Sequence, residues 1–394
     1  MSTVQRDESG AETPSPGAQL DGGRIEPSAS RPGPDGLVEA GIRIAALTDH
    51  EATPSSRFRV RQHIPGLAAY GIQVSDFPRR WSTQSAGRFF PEKNIRSSPS
   101  KAAAAAGFEL LNVVQTLGRA LATRRFDATW LSRELVIGYP TFEALTRRPL
   151  FYDIDDAVFL NPRTAVAVRR LLPTAAAVLA GNEYLAGYCR QYSKNVHVVP
   201  TAVDTTRFSP APAAAGEEFI VGWSGTSSSF KFFLPMQDSL RDFFRAHPQA
   251  VLKVCADRFP HELTALAPHI RFEQWNAEAE ARQIQSFHVG LMPLEDSEWS
   301  KGKCSYKFLL YAACGVPTIC SPVGMNHDVL QLGRVGLPAV TSDEWRDALE
   351  HCFAHRGALA AEFPDCRRIA VERFSADAVR RKIATAMLQG GRAA

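Results

Sequence analysis

No stretch of this 394-residue chain carries the ~18 to 20 consecutive apolar residues that a helix needs to cross a bilayer. The softest segment, Leu171 to Gly181, is alanine-rich, contains Pro173 and is too short. The N-terminus lacks the basic-then-apolar order of a secretory leader, which points to a cytoplasmic protein. The seven cysteines form no CxxC pair and have no histidines at zinc spacing, so neither a disulfide framework nor a structural zinc site organises the fold. Cys255, Cys314 and Cys320 lie in apolar segments and read as small core residues. Charge of one sign is also missing: 45 basic against 41 acidic residues leave a net charge of +4. That balance suits an anionic ligand such as a nucleotide diphosphate but is too scattered for nucleic acid. A G-x-G-x-x-G dinucleotide fingerprint is absent as well.

What is present is globular composition, 45% hydrophobic and 22% charged, over a length that fits two domains. Residues 1–40, rich in Gly, Pro, Ser and acidic side chains, cannot bury enough surface to offset their ordering entropy and read as a disordered tail. From Gly41 to Leu47 onward, apolar runs alternate with helical patterns. Candidate strands are Ile72–Val74, Ala128–Leu131, Leu150–Ile154, Ala177–Ala180 and Val196–Val199, with residues 79–100 irregular. The alternation restarts after the proline- and alanine-rich stretch 200–218, with strands at Phe219–Trp223, Val251–Cys255, Ile270–Phe272, His288–Met292 and Pro317–Cys320. Such runs predict parallel sheets covered on both faces. The expected layout is a first Rossmann-like domain over 41–205, a linker over 206–218, a second domain over 219–373, and a closing amphipathic helix and tail over 374–394. Ligands of doubly wound sheets bind beyond the carboxyl ends of the strands, so two such domains predict a cleft between them.

Three segments offer chemistry. Thr48 to Gln62 ends a strand in a polar turn that opens a helix, with Arg57, Arg59 and Arg61 available either to hold an anion or to lie on a solvated face. Tyr152 to Ala157 places Asp153, Asp155 and Asp156 at a strand end, as pocket carboxylates or as helix caps. Asp153-Ile-Asp155 matches a metal-binding D-x-D triplet formally, but a triplet so common carries little weight. The third segment is split. Gly222-Trp-Ser-Gly-Thr-Ser-Ser-Ser229 follows a strand with small residues that let a phosphate approach the backbone. Further on, Glu295 and Asp296 precede Lys301, Lys303 and Lys307, which gather at a helix N-terminus where cations are disfavoured unless an anion arrives. The basic cluster Arg163 to Arg170 fits either an anionic membrane surface, and so a peripheral contact at the inner face of a membrane, or an exposed helix face.

At these residues the sequence resembles the GT-B glycosyltransferases, specifically the large retaining "group 1", family 4-like enzymes. The resemblance runs from about Ile42 to about Leu388. It is carried by Ser56–Gln62, Tyr152–Ala157, Gly181–Ala186, Val199–Asp204, Gly222–Gly225, Gly290–Leu294, Lys301–Cys304 and Tyr311–Pro317. It implies an α/β GT-B fold of two facing Rossmann-like domains, with a nucleotide-sugar donor held by the C-terminal one and a sugar, glycan or lipid-linked acceptor by the N-terminal one. It implies no cofactor and no metal, because helix N-termini and basic side chains neutralise the departing diphosphate. On that pattern Gly222, Ser224, Gly225 and Thr226 lie near the diphosphate, with Lys303 or Lys307 as cationic partner, Lys231 as a further candidate, and Asp155 and Asp156 near the transferred sugar. One departure stands out. Family members carry two glutamates eight positions apart for the donor sugar and ribose, and those positions here are Gly302 and Leu310. Glu295 and Asp296 lie nearby and are candidates to replace part of either contact. The competing expectations are a nucleotide-sugar-binding protein with altered catalysis and, further off, a sugar-nucleotide epimerase.

Overall fold

A computed structural model describes residues 41–51, 53–80, 99–136, 141–211 and 218–392. The stretch 1–40 and most of the irregular segment 79–100 fall outside these residues.

The first sheet contains β1 (Ile42–Thr48), β2 (Ile72–Pro78), β3 (Ala128–Ser132), β4 (Leu150–Ile154), β5 (Ala177–Ala180) and β6 (Val196–Val198). Every pairing is parallel, in the order β2-β1-β3-β4-β5-β6. The second sheet contains β7 (Phe219–Gly225), β8 (Ala250–Ala256), β9 (Ile270–Gln274), β10 (Val289–Met292), β11 (Thr318–Cys320) and β12 (Gly336–Pro338). It is also parallel, in the order β12-β11-β10-β7-β8-β9. Strand order reverses between β1 and β3 in the first sheet and between β7 and β10 in the second. A doubly wound sheet opens a crevice at such switch points.

The central strands are apolar on both faces because helices cover both: β3, β4 and β5 are buried at every residue. The last helix, Ala376–Arg392, leaves the second lobe and returns to the first. Its Val379, Ile383, Ala384 and Met387 share one buried cluster with Ile44, Val60, Trp130 and Phe151. Val203 of the connecting segment pairs with Ser375 at the same crossing.

Several local expectations change. The apolar stripe Val60–Ala68 is broken into short pieces, the 3-10 turn Arg61–His63 and the helix Ile64–Leu67, because Pro65 cannot supply an interior N–H. Gly71 ends it in the left-handed conformation at φ 71°. The segment after β7 starts as a 3-10 helix, Ser227–Met236, with Pro235 inside, before the α-helix Gln237–Ala246. Strand β12 went unanticipated, since Gly336, Leu337 and Pro338 include two residues that disfavour strands. All seven cysteines are free and buried. In helix Pro162–Leu171, Arg163, Arg169 and Arg170 are exposed.

Candidate functional site at the lobe interface

The second lobe supplies the basic wall. Helix Tyr306–Ala313 starts at Ser305, which adopts the left-handed conformation at φ 50° and gives no side-chain cap. Its first-turn amides therefore receive no capping oxygen from Ser305, and no acid sits in that turn. The Ser305 hydroxyl is itself buried without a partner.

Lys307, in that turn, reaches the end of β7. A side chain on Gly225 would collide with the Lys307 Cε, so glycine there makes room for the lysine. The ammonium lies 5.6 Å from the centre of the Trp223 ring. No described carboxylate forms an ion pair with it. Burial, helped by the nearby Lys303 charge, lowers its pKa to about 8. Lys303 sits 2.9 Å from Asp156 of the first lobe and 4.5 Å from the Trp299 ring centre. Burial, with Asp155 alongside, raises the Asp156 pKa even though Lys303 opposes the shift. The basic wall and the carboxylate loop thus meet across the cleft.

The lobes are also joined by backbone contacts. Asn182 caps its own helix, Glu183–Cys189, and donates to the carbonyls of Lys301 and Lys303 at 3.1 and 3.0 Å. The Cys304 thiol donates to the Asp155 carbonyl at 3.1 Å, and Tyr184 donates to Glu298 at 2.7 Å. Phe58 packs on Tyr306 with ring centres 4.0 Å apart. Gly302 explains part of the missing glutamate pair: a Cβ there would lie 2.6 Å from the Ala157 Cβ and 2.8 Å from its backbone nitrogen. The first lobe already fills that space. Leu310 faces the apolar core.

Several donor-side residues have partners within the protein. Gly222 serves packing, because the Phe287 ring occupies the space its side chain would take. The Ser224 amide is not free: it donates to the Tyr311 hydroxyl at 3.0 Å. Thr226 shares a hydrogen bond with Ser228 at 2.9 Å, while the Ser227 amide and hydroxyl both bind Asp257. An internal carboxylate therefore occupies part of the turn expected to hold phosphate. Lys301 is taken by Glu298 at 2.8 Å and Asp296 at 3.6 Å. Lys231 and Glu295 form an exposed pair at 3.6 Å. Of the cations proposed for the donor, Lys307 is the one left without an acid.

The first-lobe arginines also divide. Arg59, 2% exposed, makes a two-pronged pair with Asp153 at 2.9 and 3.1 Å and donates to the Val199 carbonyl. Burial raises the Asp153 pKa to about 6 against the pull of Arg59. Arg61 binds Asp76, Thr48 and the carbonyls of Glu51 and Asp49. Both brace the fold through internal oxygens rather than lying on a solvated face. Arg57 lies over the Phe58 ring and keeps a buried, unpartnered Nε.

The residues just past β3 escaped sequence reasoning. Arg133 adopts φ 67°, rare for a residue with a side chain, and its Nε is buried without a partner. Glu134 is 4% exposed, and neither carboxylate oxygen has a hydrogen bond. An Arg-Glu pair directly after a strand has no sequence signature of its own. Only the left-handed backbone and the burial single it out.

The sequence matches no protein-family model and no curated protein. The structure is similar to that of HepE from Anabaena in complex with UDP and glucose, at 16% identity, 88% of this chain, 99% of that chain and TM-score 0.63. It is similar to sucrose-phosphate synthase from Thermosynechococcus elongatus at 16% identity, covering 90% and 100% of the two chains with TM-score 0.62. A glycosyltransferase from Rickettsia africae aligns at 12% identity over 89% and 98%, with TM-score 0.61. At these identities the likeness is one of fold. The chain is an α/β protein with the GT-B fold, two Rossmann-like domains facing each other across a cleft. Among the described residues no helix is long and apolar enough to cross a membrane.

Proposed function

We propose that this chain is a glycosyltransferase that moves a sugar from a nucleotide diphosphate sugar to a hydroxyl acceptor. The observation that carries the reading is Lys307: a cation packed against Gly225 and Trp223, with no acid of its own, at a helix start that lacks a cap. A positive charge placed there raises the cost of the protein alone and is compensated when an anion with several oxygens arrives. HepE, which shares the fold, binds UDP and UDP-glucose.

In this mechanism the diphosphate leaves from the sugar's anomeric carbon while charge builds on its bridging oxygen. Lys307 and the amides of Tyr306–Ala313 stabilise that charge, and Lys303 adds to it from its position beside Asp156. With this charge in place no metal is required. Asp155 and Asp156, across the cleft, hold hydroxyls of the transferred sugar. The reaction proceeds with retention, the departing diphosphate taking the acceptor proton. A second reading, a nucleotide-sugar-binding protein without transfer, has one observation in its favour: the Gly302–Ala157 contact leaves no room for one of the two glutamates.

Calorimetric titration with UDP and with GDP tests the site. Binding of at least one, weakened in Lys307→Met, is expected, and a wild-type protein that binds neither would sink the proposal. Mass spectrometry of a nucleotide-sugar panel incubated with the protein separates the readings: slow release of free sugar marks a transferase using water as acceptor, and binding with every donor left intact marks a binder.

A further inference from the structure

The second lobe carries a group of metal-ligating side chains away from the cleft. His351 lies in the last turn of helix Ser342–Ala354, and His355 is the residue on which that helix ends. Side chains four positions apart on a helix share one face, one above the other. The two imidazole ring centres are 4.4 Å apart. Glu362, from the following short helix Leu359–Glu362, completes the group. One ligand atom from each of the three lies within 4.8 Å of the other two. Around a tetrahedral ion with bonds of ~2.1 Å, ligand atoms stand about 3.4 Å apart. Small rotations of these side chains reach that spacing.

The surroundings prepare the group for a cation. His355 Nδ1 lies 2.8 Å from the His351 carbonyl oxygen, which can only accept, so Nδ1 carries the hydrogen and Nε2 keeps its lone pair. Backbone carbonyls orient metal-binding histidines in this manner. His351 Nε2 meets the Glu362 carboxylate, so an imidazole and an acid already converge. Leu359 and Phe363, both buried, anchor the turn that delivers Glu362. The end of a helix also carries partial negative charge, which favours a cation. The His351 and Glu362 side chains are 40% and 28% exposed and His355 is exposed, so an ion and its water can reach them. Cys352, between the histidines, is buried in the core and takes no part.

The place of the group separates it from the donor site. Phe353, in the same helix, packs edge-on against Phe219, the first residue of β7, with ring centres 5.4 Å apart. Lys307 reaches Gly225, the last residue of that strand. A strand of this length spans roughly 20 Å, so the histidines sit at the opposite end of the second sheet. Two imidazoles and one carboxylate suit zinc and its neighbours in the transition series, whereas magnesium and calcium demand oxygen ligands. We propose that His351, His355 and Glu362 bind one divalent ion of the zinc class, with water in the remaining position. The ion clips helix Ser342–Ala354 to the helix that follows it. This assignment is independent of the glycosyl-transfer reading.

Calorimetric titration of zinc chloride into the full-length protein, stripped with EDTA and desalted, tests it, with magnesium chloride as the control. One equivalent of zinc is expected to bind with a Kd of about 100 µM or tighter, and magnesium should give no binding. The melting temperature should rise by a few degrees when zinc is about a hundredfold above its Kd. His355→Gln and Glu362→Gln should each weaken zinc by about tenfold or more, lose the thermal shift, and melt with wild type in EDTA. Weaker zinc binding, equal binding of magnesium, or wild-type zinc affinity in both variants would each overturn the site. Loss in His355→Gln with full affinity in Glu362→Gln would leave only a histidine pair and overturn the three-ligand assignment.

Discussion

The two walls of the cleft look alike in sequence and differ in their electrostatics. Arg57, Arg59 and Arg61 in the first lobe and Lys301, Lys303 and Lys307 in the second are both basic triplets beside a helix terminus. In the first lobe, Arg59 and Arg61 find internal oxygens and become struts. In the second, Lys301 and Lys303 find acids, while Lys307 finds none. A cluster of charge therefore says little about ligands until each charge has been matched to its partners. The remainder after matching, here Lys307, carries the functional information.

That contrast can be broken experimentally. Arg59→Met should be the most disruptive change, because it strands Asp153 as a buried carboxylate. A loss of about 3–5 kcal/mol is expected in chemical denaturation, and a loss below ~1 kcal/mol would show that Arg59 is no strut. Lys307→Met should act in the opposite manner, with a stable fold and UDP affinity reduced by about tenfold to a hundredfold, or ~1.5–3 kcal/mol. Calorimetry and thermal melting together read both halves of that expectation.

Placing a glutamate at position 302 offers a sharper test of the wall opposite. Gly302→Glu must push Ala157 aside and should cost about 1–3 kcal/mol of stability. An unchanged melting temperature would mean that Ala157 does not close off the space beside Gly302.

The pH response of Lys307 has two signs. Its folded pKa of about 8 lies below the ordinary 10.5, so the ammonium loses its proton as pH rises through about 8. UDP affinity should fall over that range in wild type and fall less steeply in Lys307→Met. Stability moves the other way. Between about 8 and 10.5 the unfolded chain binds more protons than the folded one, so this group's contribution to stability rises with pH across that window. A flat affinity profile from pH 7 to 9.5 would remove Lys307 from the anion site. The smallest effect belongs to Lys301→Ala, whose partners are exposed acids. Neither UDP affinity nor melting temperature should change measurably.

Much of the fold was legible because buried parallel strands must be short apolar runs bounded by helices. Ten of the strands inside the described residues coincide with such runs to within a few residues, from β1 at Ile42–Thr48 to β11 at Thr318–Cys320, and β6 at Val196–Val198 makes an eleventh. The exception, β12, is three residues long with Gly336 and Pro338 at its ends, and local composition argues against it; pairing with β11 creates it. The site was legible less evenly. Lys307 and Gly225 were visible as a cation and a small residue at strand and helix ends. Their contact was not, because 82 positions separate them in the chain.

By itself the sequence determined the alternation of strand and helix, and with it two doubly wound sheets, since hydrophobic periodicity is a local property that a short window contains. Which charges remain available was decided only in three dimensions. Arg59 is cancelled by Asp153, Ser224 by Tyr311 and Ser227 by Asp257, all from distant segments. Arg133 and Glu134 are left unpaired by the same process. Coulomb energy and hydrogen bonding depend on separation in space and on burial, and neither is written in the order of the residues.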